Sequence, residues 1–212
     1  MFSLDVVAMY PSIPTARAPG WVEERCRNFS LNEGLIKWLG KIIRRMLKGN
    51  KFEYDELYSQ ESGTAIGVLF ACAYTGVAMG KIEEEGLKHW GERQGGGGGI
   101  IKGHSWERGD LGEVDWCGRY RDDCIGLWRG TRLEFYRFVA VMNELDEDIK
   151  FTYSIDFEEN KVAFLDTLVQ IDDKGYIQMI LYVKKNVKNA LLLPSSCHRP
   201  MVTRATVLGL AL

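Results

Sequence analysis

Residues 116–128, WCGRYRDDCIGLW, set two adjacent aspartates, Asp122 and Asp123, inside an otherwise apolar stretch. A protein core does not bury two neighbouring charges. The chain must therefore carry the pair to a strand end or a tip. The flanks then read as the two arms of a β-hairpin with Asp-Asp at its turn. Carboxylates held this close repel one another, and a divalent cation bound through oxygen ligands is the usual remedy. Taken alone, the pair reads better as a surface turn, since aspartate is a good turn former and most such pairs are turns.

A second stretch has the same form. Residues 1–14, MFSLDVVAMYPSIP, are a β-rich apolar run carrying one acid, Asp5, and closing on Pro11 and Pro14. Proline cannot donate to a ladder and restricts the residue before it, so it ends the strand. Two strands far apart in sequence would thus each bring carboxylate to a strand end. That is what a two-metal phosphoryl-transfer site requires, with carboxylates bridging cations about 3.5–4 Å apart.

At this point the chain resembles reverse transcriptases. DVVAMYPSIP looks like their motif A, QESGTAIGVLFACAYTGVAMG like motif B and YRDD like the motif C box. IKFTYSIDFEENKVAFLDTLVQ, LYVKKN and SSCHRP resemble the downstream segments of the Penelope-like retroelements. YRDD alone is a weak signal; the ordered set, spanning nearly the whole chain, is a strong one.

The resemblance implies an RNA-directed DNA polymerase acting on an RNA template, a DNA primer and deoxynucleotides with Mg²⁺, or Mn²⁺ in its place. It makes Asp5 and Asp122 the ligands of both metal ions, with Asp123 assisting. Val6, Tyr10, Gly63, Ala65, Ile66 and Gly67 fall at nucleotide-binding positions, Tyr10 as the aromatic that excludes a 2′-hydroxyl. Tyr120, Arg121, Lys184 and Lys185 fall where nucleic acid is met. Cys72 and Gly76 stand where the family has proline and asparagine. They favour the alternative of a degenerate copy that binds metal or nucleic acid without synthesis. The way such elements live implies an intracellular, nuclear location.

Composition bounds the rest. At 212 residues, 46% hydrophobic and 26% charged, the chain is long enough for one good-sized domain. Its formal net charge of −2 shows no overall basic character, so basic contacts to nucleic acid would have to be local. The five cysteines have no zinc-site spacing and read as small buried hydrophobes. No apolar run is long enough to cross a bilayer. Met1 stands close to motif A, which leads to the expectation of a partial copy without the fingers segment.

The order of elements predicts an α+β fold, an antiparallel sheet with helices packed on one face. The resemblance makes it the ferredoxin-like palm of polymerases, over residues 1–185, with 186–212 opening a truncated thumb. A helix is predicted over 30–48, capped by Ser30 with Glu33 and apolar along Leu31, Leu35, Trp38, Leu39, Ile42, Met46 and Leu47. Further elements are a hairpin over 51–60, a helix from about 69 to 90, and a helix opened by Thr131 with Glu134. A strand over 150–157 precedes a hairpin, 162–171 with 176–183, that holds Asp166 as a structural acid inside its first strand. Residues 91–110, with five successive glycines, read as an inserted flexible loop.

Overall fold

The computed structural model describes residues 1–93, 101–102, 105–106, 114–183 and 201. Lys184, Lys185, Cys197 and all of the expected thumb segment except residue 201 lie outside the described residues, as does most of the glycine-rich insertion.

The fold is mixed α+β, built on antiparallel sheets. The largest sheet has the order β4-β5-β6-β7-β1-β8, formed by Ile101–Lys102, Ser105–Trp106, Val114–Tyr120, Asp123–Trp128, Phe2–Val6 and Phe151–Ile155. Every neighbouring pair in it runs antiparallel. β1 therefore lies between the second arm of the Asp-Asp hairpin and β8, at the middle of the acid-bearing half.

Alternation along β1 divides its faces. Phe2, Leu4 and Val6 are buried, whereas Asp5 is exposed. The buried side meets five helices: α1 (Met9–Ser12), α2 (Ala18–Asn28), α3 (Glu33–Lys48), α4 (Ala71–Arg93) and α5 (Arg132–Glu144). Under α4 and α5 the rings of Phe2, Trp90, Trp128, Phe135 and Phe138 form one cluster, with centroids 5.3–6.4 Å apart in its contacting pairs. Gly126 is the close approach that makes this possible. A Cβ there would stand 2.4 Å from Phe2 Cζ and 2.8 Å from the Trp116 carbonyl.

Among the described residues, the opposite face is covered only in part. β9 (Lys161–Phe164), β10 (Thr167–Ile171) and β11 (Ile177–Leu181) form a separate three-stranded sheet. Val162 and Val169 from it pack with Met1 and Ile125 as a second, small core.

Several local expectations need correction. α3 begins at Glu33 and is capped by Asn32, whose side chain accepts from the amides of Gly34 and Leu35; Ser30 lies outside at φ 56°. Its buried stripe is Ile36, Gly40, Ile43 and Leu47, because α2 packs there over Gly40, and Leu31, Leu35, Trp38 and Met46 are exposed. α2 was not legible as a helix in the sequence. The segment 162–171 breaks at Leu165–Asp166, a two-residue turn closed by Phe164 opposite Thr167, with Leu165 at φ 54°. Asp166 is therefore a turn residue, its carbonyl accepting from the Tyr182 amide. Within 91–110, α4 runs on to Arg93, and β4 and β5 pair to extend the sheet. The Thr131–Glu134 capping box is present as expected.

A hairpin of β2 (Lys51–Glu53) and β3 (Leu57–Ser59) precedes the GTAIG loop. Among the described residues, no helix is long and apolar enough to cross a membrane.

Candidate functional site

The register of the central strands puts Asp5 directly opposite Asp123. Residues paired across antiparallel strands point to the same face, with Cβ atoms about 4.5–5.5 Å apart. The row extends to both sides, with Tyr120 opposite Asp123 on β6 and Thr152 opposite Asp5 on β8. Tyr120, Asp123, Asp5 and Thr152 thus cross four strands in one line, on the face turned away from the helices. Both aspartates also interact with neighbouring groups.

Asp122 sits one residue before this row, in the two-residue turn closed by Tyr120 and Asp123. Its main-chain carbonyl accepts from the Val6 amide at 3.3 Å, which docks the hairpin tip onto the end of β1. Arg121, the other turn residue, has φ 58°, a left-handed conformation that costs a non-glycine residue about 1–2 kcal/mol. Its guanidinium carbon stands 5.5 Å from the centre of the Tyr120 ring.

Val6 turns its side chain into the core and leaves only its main chain toward the site. Beyond it the chain bends at Ala8, itself left-handed at φ 46°, into the single turn of α1 that carries Tyr10. The Tyr10 hydroxyl lies 3.3 Å from Cys72 Sγ at the start of α4. This contact, with partial burial, raises the phenol above its ordinary pKa. Cys72 is exposed, unlike the buried Cys117 and Cys124, so the expectation of buried cysteines fails there.

The GTAIG loop is fastened to the same bend. The Thr64 amide donates to the Tyr10 carbonyl at 2.7 Å. Gly63, at φ 72°, lies so close to Pro11 that a Cβ would stand 2.6 Å from its Cα and carbonyl oxygen. Gly63 and Thr64 are buried, Ala65 is half-buried, and Ile66 and Gly67 are exposed. The loop therefore anchors at one end and presents the other to solvent.

Two buried charged residues beneath the site escaped the sequence reading. Glu83 of α4 and Arg119 of β6 form an ion pair beneath the hairpin, Nε to Oε1 at 2.5 Å, with side chains only 4% and 7% exposed. Burial pushes the Glu83 carboxyl up to about 7, with the Arg119 charge restraining the rise. The signal available was a charge at helical spacing between Met79, Ile82 and Gly86, on the apolar face of α4.

The donors along the row are oxygen only: two aspartates, Asp5 and Asp123, with no histidine and no thiol, and Asp122 in the adjoining turn. Such donors suit hard divalent cations. Among the described residues, no group of three or more His, Cys, Asp or Glu side chains is gathered to hold a metal ion. No protein-family model matches the chain, and no curated protein matches it.

Proposed function

We propose that this chain is the palm of a reverse transcriptase of the Penelope-like type and that it carries out RNA-templated DNA synthesis. The observation that supports it most is the registered pair Asp5–Asp123, with Asp122 in the adjoining turn, on the sheet face opposite the helices α1 to α5. The motifs that supply it are far apart in sequence, so their meeting on neighbouring strands is not a consequence of local pattern. An antiparallel sheet with the two acid-bearing strands side by side and helices on the other face agrees with a ferredoxin-like palm.

Asp5, Asp122 and Asp123 would hold Mg²⁺ or Mn²⁺, which, when bound, neutralises triphosphate charge and favours the deprotonated primer hydroxyl. Phosphate oxygens of the nucleotide would complete a shell that the protein leaves open. The primer 3′-oxygen attacks the α-phosphate of the deoxynucleotide, and pyrophosphate leaves in line. What the chain itself contributes is positioning and charge. The Tyr10 ring lies under the incoming sugar, its hydroxyl held by Cys72. Gly63 and Thr64 fix the loop whose exposed end, Ile66 and Gly67, would lie against the base pair being formed. Tyr120 and Arg121 stand at the tip where a primer end would lie.

The test is Mn²⁺ binding by calorimetry with a deoxynucleotide present, together with DNA-primer extension on an RNA template. Asp5→Asn and Asp122→Asn should each abolish both. Binding unaffected by either substitution sinks the shared site. Binding retained by the parent chain without any extension moves the reading to a non-catalytic copy, as the Cys72 and Gly76 departures would favour.

A further inference from the structure

Arg119 has no part in the chemistry above, yet its buried guanidinium meets three separate groups. It lies on the helix-facing side of β6, opposite Cys124 in the ladder. Its Nη1 donates to the main-chain carbonyl of Arg121 at 2.9 Å, and its Nη2 to the carbonyl of Gly76 in α4 at 3.2 Å. Its Nε stands 2.5 Å from Glu83 Oε1, although the N–H is not aligned on that oxygen. The pairing with Glu83 is thus one of charge with charge, while the directed bonds go to backbone at two places.

Those two places are informative. One is the left-handed residue of the Arg121–Asp122 turn, and the other is the second turn of the helix that follows the GTAIG loop. Left-handed backbone at a non-glycine residue persists only where its surroundings over-determine it. The bond from Arg119 to Arg121 is a contact that does this. A buried ion pair is in addition a poor way to gain stability, since an apolar pair of like volume commonly serves as well or better. Its placement under the turn is better explained by geometry.

We propose that Arg119, held by Glu83, is the positioning residue of the carboxylate site: it ties the Arg121–Asp122 turn to α4 and thereby keeps Asp123 opposite Asp5. The positional statement stands on the hydrogen bonds alone; its consequence for synthesis rests on the polymerase reading above. Glu83 supplies counter-charge, and the backbone bonds of Arg119 set the turn.

The experiment is residue-resolved amide hydrogen exchange on the whole chain, with Mn²⁺ binding measured beside it. Arg119→Lys keeps the charge but cannot reach two backbone carbonyls at once. It should speed exchange at Val6, Asp123 and Cys124 by roughly ten- to hundredfold, the loss of a charged hydrogen bond. Amides of α5 should be unmoved, and Mn²⁺ affinity should fall with the turn. Glu83→Gln, compared with the parent at pH 8, where Glu83 is ionised and serves as counter-ion, should give the same pattern. Adding Arg121→Gly to Arg119→Lys should restore protection, because glycine adopts the turn conformation without strain. A mere core pillar would not be rescued by a change at the turn. Should either single variant fail to fold, Arg119→Gln with Glu83→Gln removes both charges together and carries the same readout. Unchanged exchange at the turn overturns the proposal, as does acceleration spread evenly over α4, β6 and α5 that Arg121→Gly fails to relieve. A parent chain that neither binds Mn²⁺ nor extends a primer would defeat the polymerase reading while the exchange result still decides the role of Arg119.

Discussion

Gly63 and Pro11 touch backbone to backbone: any side chain at 63 would begin 2.6 Å from the Cα and carbonyl oxygen of Pro11. The contact joins the loop before α4 to the bend after β1, and the Thr64–Tyr10 hydrogen bond lies beside it. The polypeptide that carries Asp5 and the polypeptide that would face a base pair are thus one rigid corner.

Gly63→Ala should break that corner. The methyl meets main chain that cannot rotate away, and φ 72° is itself unfavourable for alanine. A loss of about 2–4 kcal/mol is expected in urea unfolding, with primer extension falling further than stability does. Gly67→Ala, at φ 93° but with open space around it, should cost only about 1 kcal/mol. Equal losses at the two positions would show that conformation, not contact, explains Gly63.

Gly126→Ala tests the packing of β7 on β1. Its methyl would overlap the Phe2 ring and the Trp116 carbonyl, and only the ring can yield. Overpacking of this kind costs about 1–3 kcal/mol. Gly126→Ala with Phe2→Leu should recover part of the loss in the same unfolding assay, because the shorter side chain vacates the space.

Glu83 makes stability depend on pH. Its carboxyl is raised to about 7 in the folded chain by burial, against 4.5 as the ordinary value. Between those values the folded state holds a proton that the unfolded state has lost. The contribution is therefore complete below about pH 4.5 and lost as pH rises through about 7. Its size is on the order of 1–3 kcal/mol. Unfolding free energies of the parent and of Glu83→Gln, compared at pH 5 and pH 8, should show the parent losing more on going to pH 8. A difference that does not change with pH would mean that the carboxylate is ionised throughout.

Tyr10→Ala tests the sugar-facing role. If the ring excludes a 2′-hydroxyl, its removal should raise ribonucleotide incorporation relative to deoxynucleotide on the order of tenfold or more. The same substitution removes the contact to Cys72 and some core packing, so Tyr10→Phe is the control. It keeps the ring, and discrimination should stay as in the parent.

Much of this arrangement was legible beforehand. Proline after Asp5, the two aspartates between apolar arms, the Thr131–Glu134 capping box and the small-residue loop before a long helix are local patterns. Local pattern also supported the α+β class, because strand alternation and helical spacing reflect which side of each element is apolar. It could not set the rotation of α3, whose apolar residues are more numerous than its contact face can hold. Packing against Gly40 chose Ile36, Ile43 and Leu47 and exposed Leu35 and Trp38. Nor could it show the turn at Leu165–Asp166, where a single aspartate, with no glycine or proline beside it, interrupts a run that otherwise reads as one strand.

What the amino-acid sequence determined by itself was which residues could be reactive: three aspartates in two β-rich segments, and the glycines and tyrosine set around them. Their partnership was decided by tertiary structure. Register pairs Asp5 with Asp123, while Asp122 bonds through its carbonyl to Val6. The buried charges beneath them came entirely from the fold. Glu83 and Arg119 lie on elements well separated in the chain, and each is an ordinary helix or strand residue until packing takes both out of water. Desolvation makes their pairing obligatory, and desolvation is a property of the assembled core, not of any local stretch of sequence.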